Sequence, residues 1–366
     1  MFPLYTSYSF AENFPKNEPL PEKAMYRGIN EEQWKTIKKI GDPLDCQQRL
    51  YNFQQIKDYK VIGPEDCKEN KNCIQDALSK NKYVKLKEGI YNIYTTINLR
   101  NKTLAGDKNG KTLIDAKYLK SKESIILNSG IISNIHLENA FDNGIYIKNN
   151  SSGSMLYRIK VGNSGVNNEN SHAGKGVDVW GKNNHSHCLI SVESFNGYNQ
   201  TSSKKRKSLR EKGGNADGFS IKEGPTNITL IDTHAHHNSD DGYDFWEAGN
   251  KTIWDRLGKS KKDPVIRVFY SSALFNGKHP FKNNGDGQGF KLGGNLKLKA
   301  RDYGARLVYG SASCFNKHRG FDKNDSRAKM ILLGNDSRKN KESYKNVRNK
   351  KVKDDKNLLK CSLFLK

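Results

Sequence analysis

Apolar and polar residues alternate along residues 83–99, which read YVKLKEGIYNIYTTINL. Alternation over short stretches indicates half-buried β-strands, because successive side chains of a strand point to opposite faces. Residues 72–80 (NCIQDALSK) instead have the spacing of a short helix. Residues 1–60 have neither period. We therefore expect an irregular N-terminal segment, then a short helical cap, then a strand-rich domain.

A short motif, in which a glycine precedes an alternating strand, recurs from residue 144 onward. It begins at Gly144, Gly176, Gly218, Gly242, Gly289 and Gly320. Gly218 and Gly242 lie 24 residues apart, a spacing typical of one coil of a solenoid, and the longer intervals fit a coil with an inserted loop. The repeat predicts an all-β fold, a parallel β-helix that spans residues 61–335.

A second strand-like run recurs between the glycine motifs, and it carries an asparagine at a corresponding place. These asparagines are Asn196, Asn238, Asn276 and Asn316. Stacked coils would place equivalent residues about 4.8 Å apart, so their side-chain amides are expected to form an internal ladder. The alternative is four unrelated turn asparagines, although three of the four follow a phenylalanine.

Two stretches lie outside the repeat. Residues 200–212 (QTSSKKRKSLREK) form a basic insertion, and residues 336–366 form a charged C-terminal tail. Basic runs bind nucleic acid in some proteins, but most are solvated surface, so a nucleic-acid role is not favoured here. We expect the tail to be frayed or a surface coil.

The chain carries 63 basic and 39 acidic residues, a formal net charge of +24. This charge attracts polyanions in general, which include nucleic acids, anionic membranes and acidic polysaccharides, and a lysine-rich source would produce the same composition. The 34% apolar content suits a solenoid with a thin core. No apolar run approaches the ~20 residues that span a bilayer. The first 20 residues lack the pattern of a signal peptide.

The six cysteines show no CxxC spacing, which argues against a zinc site. Cys67 and Cys73 are close enough in sequence to form a disulfide in an oxidising compartment. Cys188 and Cys314 lie in apolar strand-like runs, so we expect them to be buried free thiols.

Four aspartates lie on two adjacent predicted coils, in the stretches NADGFSIK and NSDDGYDFW. They are Asp217, Asp240, Asp241 and Asp244. When Gly218 and Gly242 are aligned, Asp217 and Asp241 occupy the same position one coil apart, where like charges repel unless a cation lies between them. Hard carboxylate oxygens in this number suit Ca²⁺. The alternative is an Asp-rich turn that is paired with nearby lysines.

Lys291 stands two residues after Gly289, as Asp244 stands two after Gly242. The alignment therefore predicts that Lys291 lies beside Asp244 on the outer face of the next coil. An ion-pair partner is the simplest role for such a lysine. A bound Ca²⁺ and basic surroundings would lower its pKa, and a neutral lysine beside a cation is a suitable general base.

The motifs ADGF, NSDDGYDFW, NGDGQGFKLGG and CFNKHRGFDKND, in this order, resemble the catalytic coils of the family-nine polysaccharide lyases, a family that contains certain pectate lyases. The resemblance covers roughly residues 185–335. It implies a right-handed parallel β-helix in which the aspartates of the DGF and DDGxD motifs bind calcium and the lysine of GFKLGG is the base. In this chain the residues that match are Asp217, Asp240, Asp241, Asp244 and Lys291.

The resemblance further implies a secreted, calcium-dependent lyase that cleaves polygalacturonate by β-elimination, and we expect it to act as a monomer. Lys222, Arg319 and Lys323 are candidates for binding substrate carboxylates. Two alternatives stay open, a lyase that acts on another uronic-acid glycan and a non-catalytic β-helix that binds a polyanion, as an adhesin or spike does.

Overall fold

The protein is a parallel β-helix with two short helices packed against its side. The computed structural model describes residues 28–41, 45–121, 123–166, 173–199, 214–278, 285–294, 303–352 and 355–364. Within these ranges 26 strands form one sheet of 17 strands and one of nine, and every strand pairing is parallel. The prediction of an all-β solenoid is confirmed. No helix in these ranges is both long and apolar enough to cross a bilayer.

The larger sheet contains two columns of strands. The first column consists of β1 (Lys60–Ile62), β2 (Tyr83–Leu86), β5 (Thr103–Ala105), β8 (Ile131–Glu138), β10 (Met155–Gly162), β12 (His185–Phe195), β14 (Thr226–Ile231), β17 (Pro264–Phe269), β20 (Ala305–Tyr309), β23 (Met330–Leu333) and β26 (Asn349–Lys350). The second consists of β3 (Gly89–Asn92), β6 (Thr112–Asp115), β15 (His234–His236), β18 (Ser272–Leu274), β21 (Ala312–Cys314) and β24 (Asp336–Arg338). The long strands β8, β10 and β12 belong to both columns and join them.

The smaller sheet carries the glycine motifs. Its strands are β4 (Ile97–Arg100), β7 (Glu123–Asn128), β9 (Asn143–Ile147), β11 (Val177–Trp180), β13 (Phe219–Lys222), β16 (Tyr243–Asp244), β19 (Phe290–Lys291), β22 (Arg319–Asp322) and β25 (Glu342–Lys345). They stack in chain order. The helices are α1 (Glu31–Ile40), α2 (Cys46–Gln54), α3 (Cys73–Lys80) and α4 (Lys251–Arg256). The predicted cap helix is α3, which buries Ile74 and Leu78 in the solenoid core.

The recurring glycines are required because a side chain would have no room at these positions, and not because the backbone adopts a positive φ angle there. A Cβ atom on Gly242 would lie 2.8 Å from the Asn276 amide nitrogen and from the Gly289 carbonyl oxygen. A Cβ on Gly289 would collide with Ser313 Oγ, at 1.9 Å. The smaller and larger sheets therefore approach too closely at this corner for any side chain. This close approach explains why the motif repeats on every coil of the site.

An internal asparagine ladder exists, but it is offset from the predicted one. The Nδ2 atoms of Asn238, Asn276 and Asn316 each donate to the Oδ1 atom of the next asparagine, at 3.0–3.1 Å, and the last acceptor is Asn340. The prediction that Asn196 belongs to this ladder is wrong. The ladder position on its coil is Gly197, whose backbone N–H donates to Asn238 Oδ1, and Asn196 instead donates to Asn163.

The N-terminal segment differs from the irregular one that was expected. The helices α1 and α2 lie at residues 31–54, where Trp34, Ile37 and Phe53 pack on the outer face of the larger sheet. Cys46 of α2 forms a disulfide with Cys188 of β12. Trp34 and Ile37 lie three residues apart on the buried face of α1, a helical spacing that the sequence reasoning missed.

The expectation of free thiols at Cys188 and Cys314 is wrong. Cys314 pairs with Cys361, and Cys67 pairs with Cys73 as its sequence position allowed. Both corrected pairs join residues that are far apart in the chain, by 142 and 47 positions. Sequence spacing alone gives no information on such pairings.

The β-helix continues beyond residue 335, into the stretch that was expected to be a frayed tail. Strands β24, β25 and β26 extend both sheets through Lys350. The interior of this coil is partly polar, with Asn340 Nδ2 donating to Ser337 Oγ and to the Ser313 carbonyl. Backbone ladders need no apolar side chains when interior polar groups bond to one another, so a charged sequence did not end the fold.

Candidate metal centre and adjoining surface

The candidate site is formed by two rows of equivalent residues on the smaller sheet. One row directly precedes the motif glycine on each coil, and the other follows that glycine by two residues. The Gly218 N–H donates to the Asp241 carbonyl at 3.0 Å, which sets Asp217 directly beside Asp241 in the neighbouring coil. In the strands that follow, Ser220, Asp244, Lys291 and Asp322 are register partners in that order. The structure therefore has the alignment that the glycine repeat predicted.

Three of the four predicted aspartates converge on one point. One carboxylate oxygen from each of Asp217, Asp241 and Asp244 lies within 4.8 Å of the other two. All three residues are buried, with at most 1% of their surface exposed. Asp217 and Asp241 belong to the row that precedes the motif glycine and Asp244 belongs to the row that follows it, so the two rows meet at this point.

Asp240 belongs to a second trio instead, with Asp241 and Asp286. Its Oδ1 accepts a hydrogen bond from the Asp286 N–H at 3.1 Å. Burial, together with the charges of Asp241 and Asp286, raises the pKa of Asp240 well above its usual range. Asp241 is common to both trios, so the four predicted residues form two adjoining oxygen clusters rather than one.

Asp286 is a site residue that the sequence reasoning missed. Its carboxylate lies 3.5 Å from Lys291 Nζ and accepts a hydrogen bond from Gln288 Nε2 at 2.9 Å. With 45% of its side chain exposed, Asp286 is the open edge of the group. The signal was present in NGDGQGFKLGG, where an aspartate lies three residues before the motif glycine. We refer to Asp217, Asp240, Asp241, Asp244 and Asp286 as the acidic cluster.

Lys291 faces the acidic cluster, as predicted. Its Nζ lies 2.9 Å from Asp241 Oδ2 and 3.5 Å from Asp244 Oδ2. Burial on its own would lower the pKa of Lys291, but Asp241, Asp244 and Asp286 raise it well above its usual range. The expectation of basic surroundings is therefore wrong for the protein without a bound cation, because acidic groups form the nearest charges.

Lys222, which was predicted as a candidate substrate contact, lies inside the site. Its Nζ lies 2.7 Å from Asp217 Oδ2 and 2.6 Å from Asp244 Oδ2. Only 6% of the residue is exposed. The ammonium group thus bridges two of the three converging carboxylates.

Arg319 and Lys323 lie at the next coil. Arg319 donates to Asp322 Oδ2 at 2.7 Å and pairs with Glu342 at 3.4 Å, and 37% of its side chain remains exposed. Lys323 is half-buried and lines a cleft beside the sheet. Arg319 begins β22 and Lys323 directly follows it, so both lie on the coil next to that of Lys291. The basic insertion at residues 200–212 lies outside the described residues.

The acidic cluster fits a divalent cation. Five carboxyl groups face two ammonium groups, from Lys222 and Lys291, so the buried site has an excess of negative charge that a metal ion would offset. Buried charge without such compensation is costly. The donors are all hard oxygens, which Ca²⁺ binds in sets of six to eight, and no thiolate or imidazole belongs to either trio.

The acidic cluster and Lys291 lie on the outer wall of a parallel β-helix. The family model described as "Pel9A-like, right handed beta helix region" matches residues 68–357, and the chain belongs to this family. The resemblance to family-nine lyases and the right-handed solenoid are thereby confirmed.

Pectate lyases are among the proteins to which this chain is similar. Pectate lyase L of Dickeya dadantii (strain 3937) is 29% identical over 137 residues, which are 37% of this chain and 28% of that protein. Pectate lyase L of Dickeya chrysanthemi is 29% identical over 140 residues, with the same coverage. The match thus spans less than a third of these relatives. The crystal structure of pectate lyase Pel9A aligns with a TM-score of 0.60 and 21% identity, over 81% of this chain and 74% of that one, which establishes the shared fold.

Proposed function

We propose that the protein is a calcium-dependent polysaccharide lyase that cleaves polygalacturonate by β-elimination. One observation carries the proposal: Lys291 Nζ lies 2.9 Å from Asp241 in a cluster whose carboxylates outnumber its ammonium groups. Proton abstraction next to a carboxylate needs a base and local positive charge, and this wall would provide both once a divalent cation is bound. The pectate lyases among its relatives support the choice of polymer.

In this proposal Asp217, Asp241 and Asp244 hold the cation, and Asp240 and Asp286 complete its surroundings. Bound Ca²⁺ would supply Lewis-acid polarisation of the substrate carboxylate, which acidifies the neighbouring C5 proton. Lys222 keeps Asp217 and Asp244 in place.

The proton-transfer step belongs to Lys291. A bound cation would offset the carboxylates that raise the pKa of Lys291, so that Nζ would be neutral and would accept the C5 proton. The electron pair then forms the C4–C5 double bond, and the C4–O bond breaks with its electrons on the leaving sugar oxygen, which takes a proton from water. The products are a shortened chain and a new unsaturated non-reducing end. Arg319 and Lys323, which lie on the adjoining coil, bind carboxylates of neighbouring sugars.

We also propose that the protein works outside the cell. All six cysteines are paired in three disulfides, which form and persist in oxidising compartments.

The direct test is to incubate the purified protein with polygalacturonate and calcium and to follow the ultraviolet absorbance of the unsaturated uronate product. We expect product with calcium, none after chelation, and recovery when calcium is restored. Parallel reactions with alginate and rhamnogalacturonan test the choice of polymer. Calcium binding by calorimetry without product from any acidic glycan would contradict the lyase assignment and leave a polyanion-binding β-helix.

A further inference from the structure

A second charged surface lies beside the last coils of the solenoid, and it has the opposite sign to the acidic cluster. A cleft of about 600 Å³ is lined by eleven residues, of which seven are lysine or arginine and none is acidic. Lys323, Arg327 and Lys329 come from the loop after β22, and Arg348 and Lys350 follow β25. We refer to this feature as the basic cleft.

The charge of the basic cleft exceeds what composition explains. Acidic residues make up 39 of the 102 charged residues in the chain, so a random patch of seven charges would contain two or three acids. Seven cations around one concave space repel one another, and the repulsion is relieved when an anion binds between them. The basic cleft is therefore suited to a polyanionic ligand.

The lining of the basic cleft distinguishes between polyanions. Its apolar residues are Ala328, Met330 and Val347, and none of the eleven lining residues is aromatic. Single-stranded nucleic acids are usually bound by aromatic side chains that stack on the bases. A uronic-acid chain instead presents carboxylates, which suit lysine and arginine.

The basic cleft adjoins the proposed base. Lys323 directly follows Asp322, and Asp322 is the register partner of Lys291 in the neighbouring strand. Neighbouring strands are about 4.8 Å apart, so the near wall of the basic cleft begins one coil from Lys291. A polymer bound at Lys291 therefore needs to extend by only about one coil along the solenoid to reach the basic cleft.

We propose that the basic cleft is an accessory binding site for a segment of the polyuronate chain beyond the sugars at Lys291. The identity of the polymer rests on the proposed function. An accessory site contributes binding that is realised only by chains long enough to span both places. It therefore lowers KM for the polymer and leaves short oligosaccharides unaffected.

The test is a triple variant, Lys329→Gln, Arg348→Gln and Lys350→Gln, which removes three exposed charges from the basic cleft. We expect KM for polygalacturonate to rise about tenfold, with kcat and the KM for a trigalacturonate unchanged. The matched control, Lys57→Gln, Lys68→Gln and Lys80→Gln, removes three exposed charges at the other end of the chain. It should change the polymer KM by less than about twofold.

Three results would overturn this proposal. They are an unchanged polymer KM in the cleft variant, an equal rise in the control, and an equal rise for trigalacturonate. If the wild-type protein releases no product, the proposed function fails. Affinity electrophoresis in polygalacturonate gels then tests whether the basic cleft binds the polymer. Retardation that the cleft variant loses and the control keeps would support the accessory site. Absence of retardation, or tighter binding of DNA at the same salt concentration, would refute it.

Discussion

Each strand of the smaller sheet near the site has two faces with opposite character. The inward residues Phe219, Tyr243, Phe290, Phe321 and Tyr344 stack with ring centroids 4.3–5.4 Å apart. The outward residues that follow them on β13, β16, β19, β22 and β25 are Ser220, Asp244, Lys291, Asp322 and Lys345. Neighbouring residues of one strand thus belong either to a uniform aromatic column or to a column that changes charge at almost every step.

This difference separates the residues that specify the fold from those that specify chemistry. The aromatic column repeats one solution, because every coil must fill the same interior space. The outward column has no such constraint, so its charges are free to alternate and to meet a second column at the acidic cluster. Phe290 and Lys291 lie side by side on β19 and offer the sharpest comparison of the two.

The largest effect is expected from Lys291→Ala, which should lower kcat on polygalacturonate by about 10²–10⁴-fold, the usual contribution of a general base. Lys291→Arg keeps a cation but gives a side chain that does not lose its proton, so it should be as inactive as the alanine variant. Product release at a fixed calcium concentration measures both. Thermal unfolding should be recorded with calcium present, because removing an ammonium group leaves buried carboxylates uncompensated.

Lys345→Ala is the control for Lys291→Ala. Lys345 lies in the same outward column two coils away, where it is 3.6 Å from Glu342 and 41% exposed. We expect its loss to change kcat by less than about twofold, since exposed ion pairs contribute little. Substantial activity in Lys291→Arg would show that the group acts as a charge and would remove the proposed base.

The neighbouring substitution, Phe290→Ala, should act on the fold instead. Phe290 is fully buried between Tyr243, at 4.3 Å, and Phe321, at 4.8 Å. Truncation of a buried phenylalanine costs roughly 3–5 kcal/mol of unfolding free energy. Chemical denaturation measures this loss, and kcat of the folded fraction should stay near that of the wild-type protein. Phe290→Leu keeps most of the buried volume and should lose much less.

The inward face explains how much the sequence could predict. The glycine motif, set by the lack of space for a Cβ at Gly242 and Gly289, fixed the coil register. That register correctly placed Asp217 beside Asp241 and Asp244 beside Lys291. A register defines which backbone positions are adjacent, and short side chains such as aspartate have little freedom to lie elsewhere.

What the register did not reveal depends on long side chains, loops and distant contacts. Lys222 lies on β13 in register, but its long four-carbon side chain carries the ammonium group to Asp217 and Asp244. Asp286 reaches the site from a loop, which follows no repeat. The asparagine ladder was assigned one residue too early at Asn196, because Gly197 occupies its place on that coil and leaves no side-chain signal.

The smallest effect among the predicted substitutions concerns calcium binding rather than the base. Asp241→Asn should weaken calcium binding by about 10–100-fold and reduce the rise in melting temperature that calcium produces. Asparagine keeps an oxygen for the Gln288 N–H, which donates to Asp241 Oδ1 at 2.7 Å, so the loop should stay in place. Without calcium the substitution removes one charge from a crowded set of carboxylates, but it also removes the 2.9 Å ion pair of Asp241 with Lys291. These two changes oppose each other, so the stability of the variant should stay near that of the wild-type protein.

Asp322→Asn is the matched control for Asp241→Asn. It removes a buried carboxylate from the outward column one coil beyond Lys291, where Arg319 is its ion-pair partner at 2.7 Å. Calorimetry should find calcium affinity unchanged in this variant, although breaking the pair with Arg319 costs stability. Equal weakening by the two substitutions would mean that calcium responds to the net charge of the wall. Weakening by Asp241→Asn alone would assign the ion to the position where the two trios share a carboxylate.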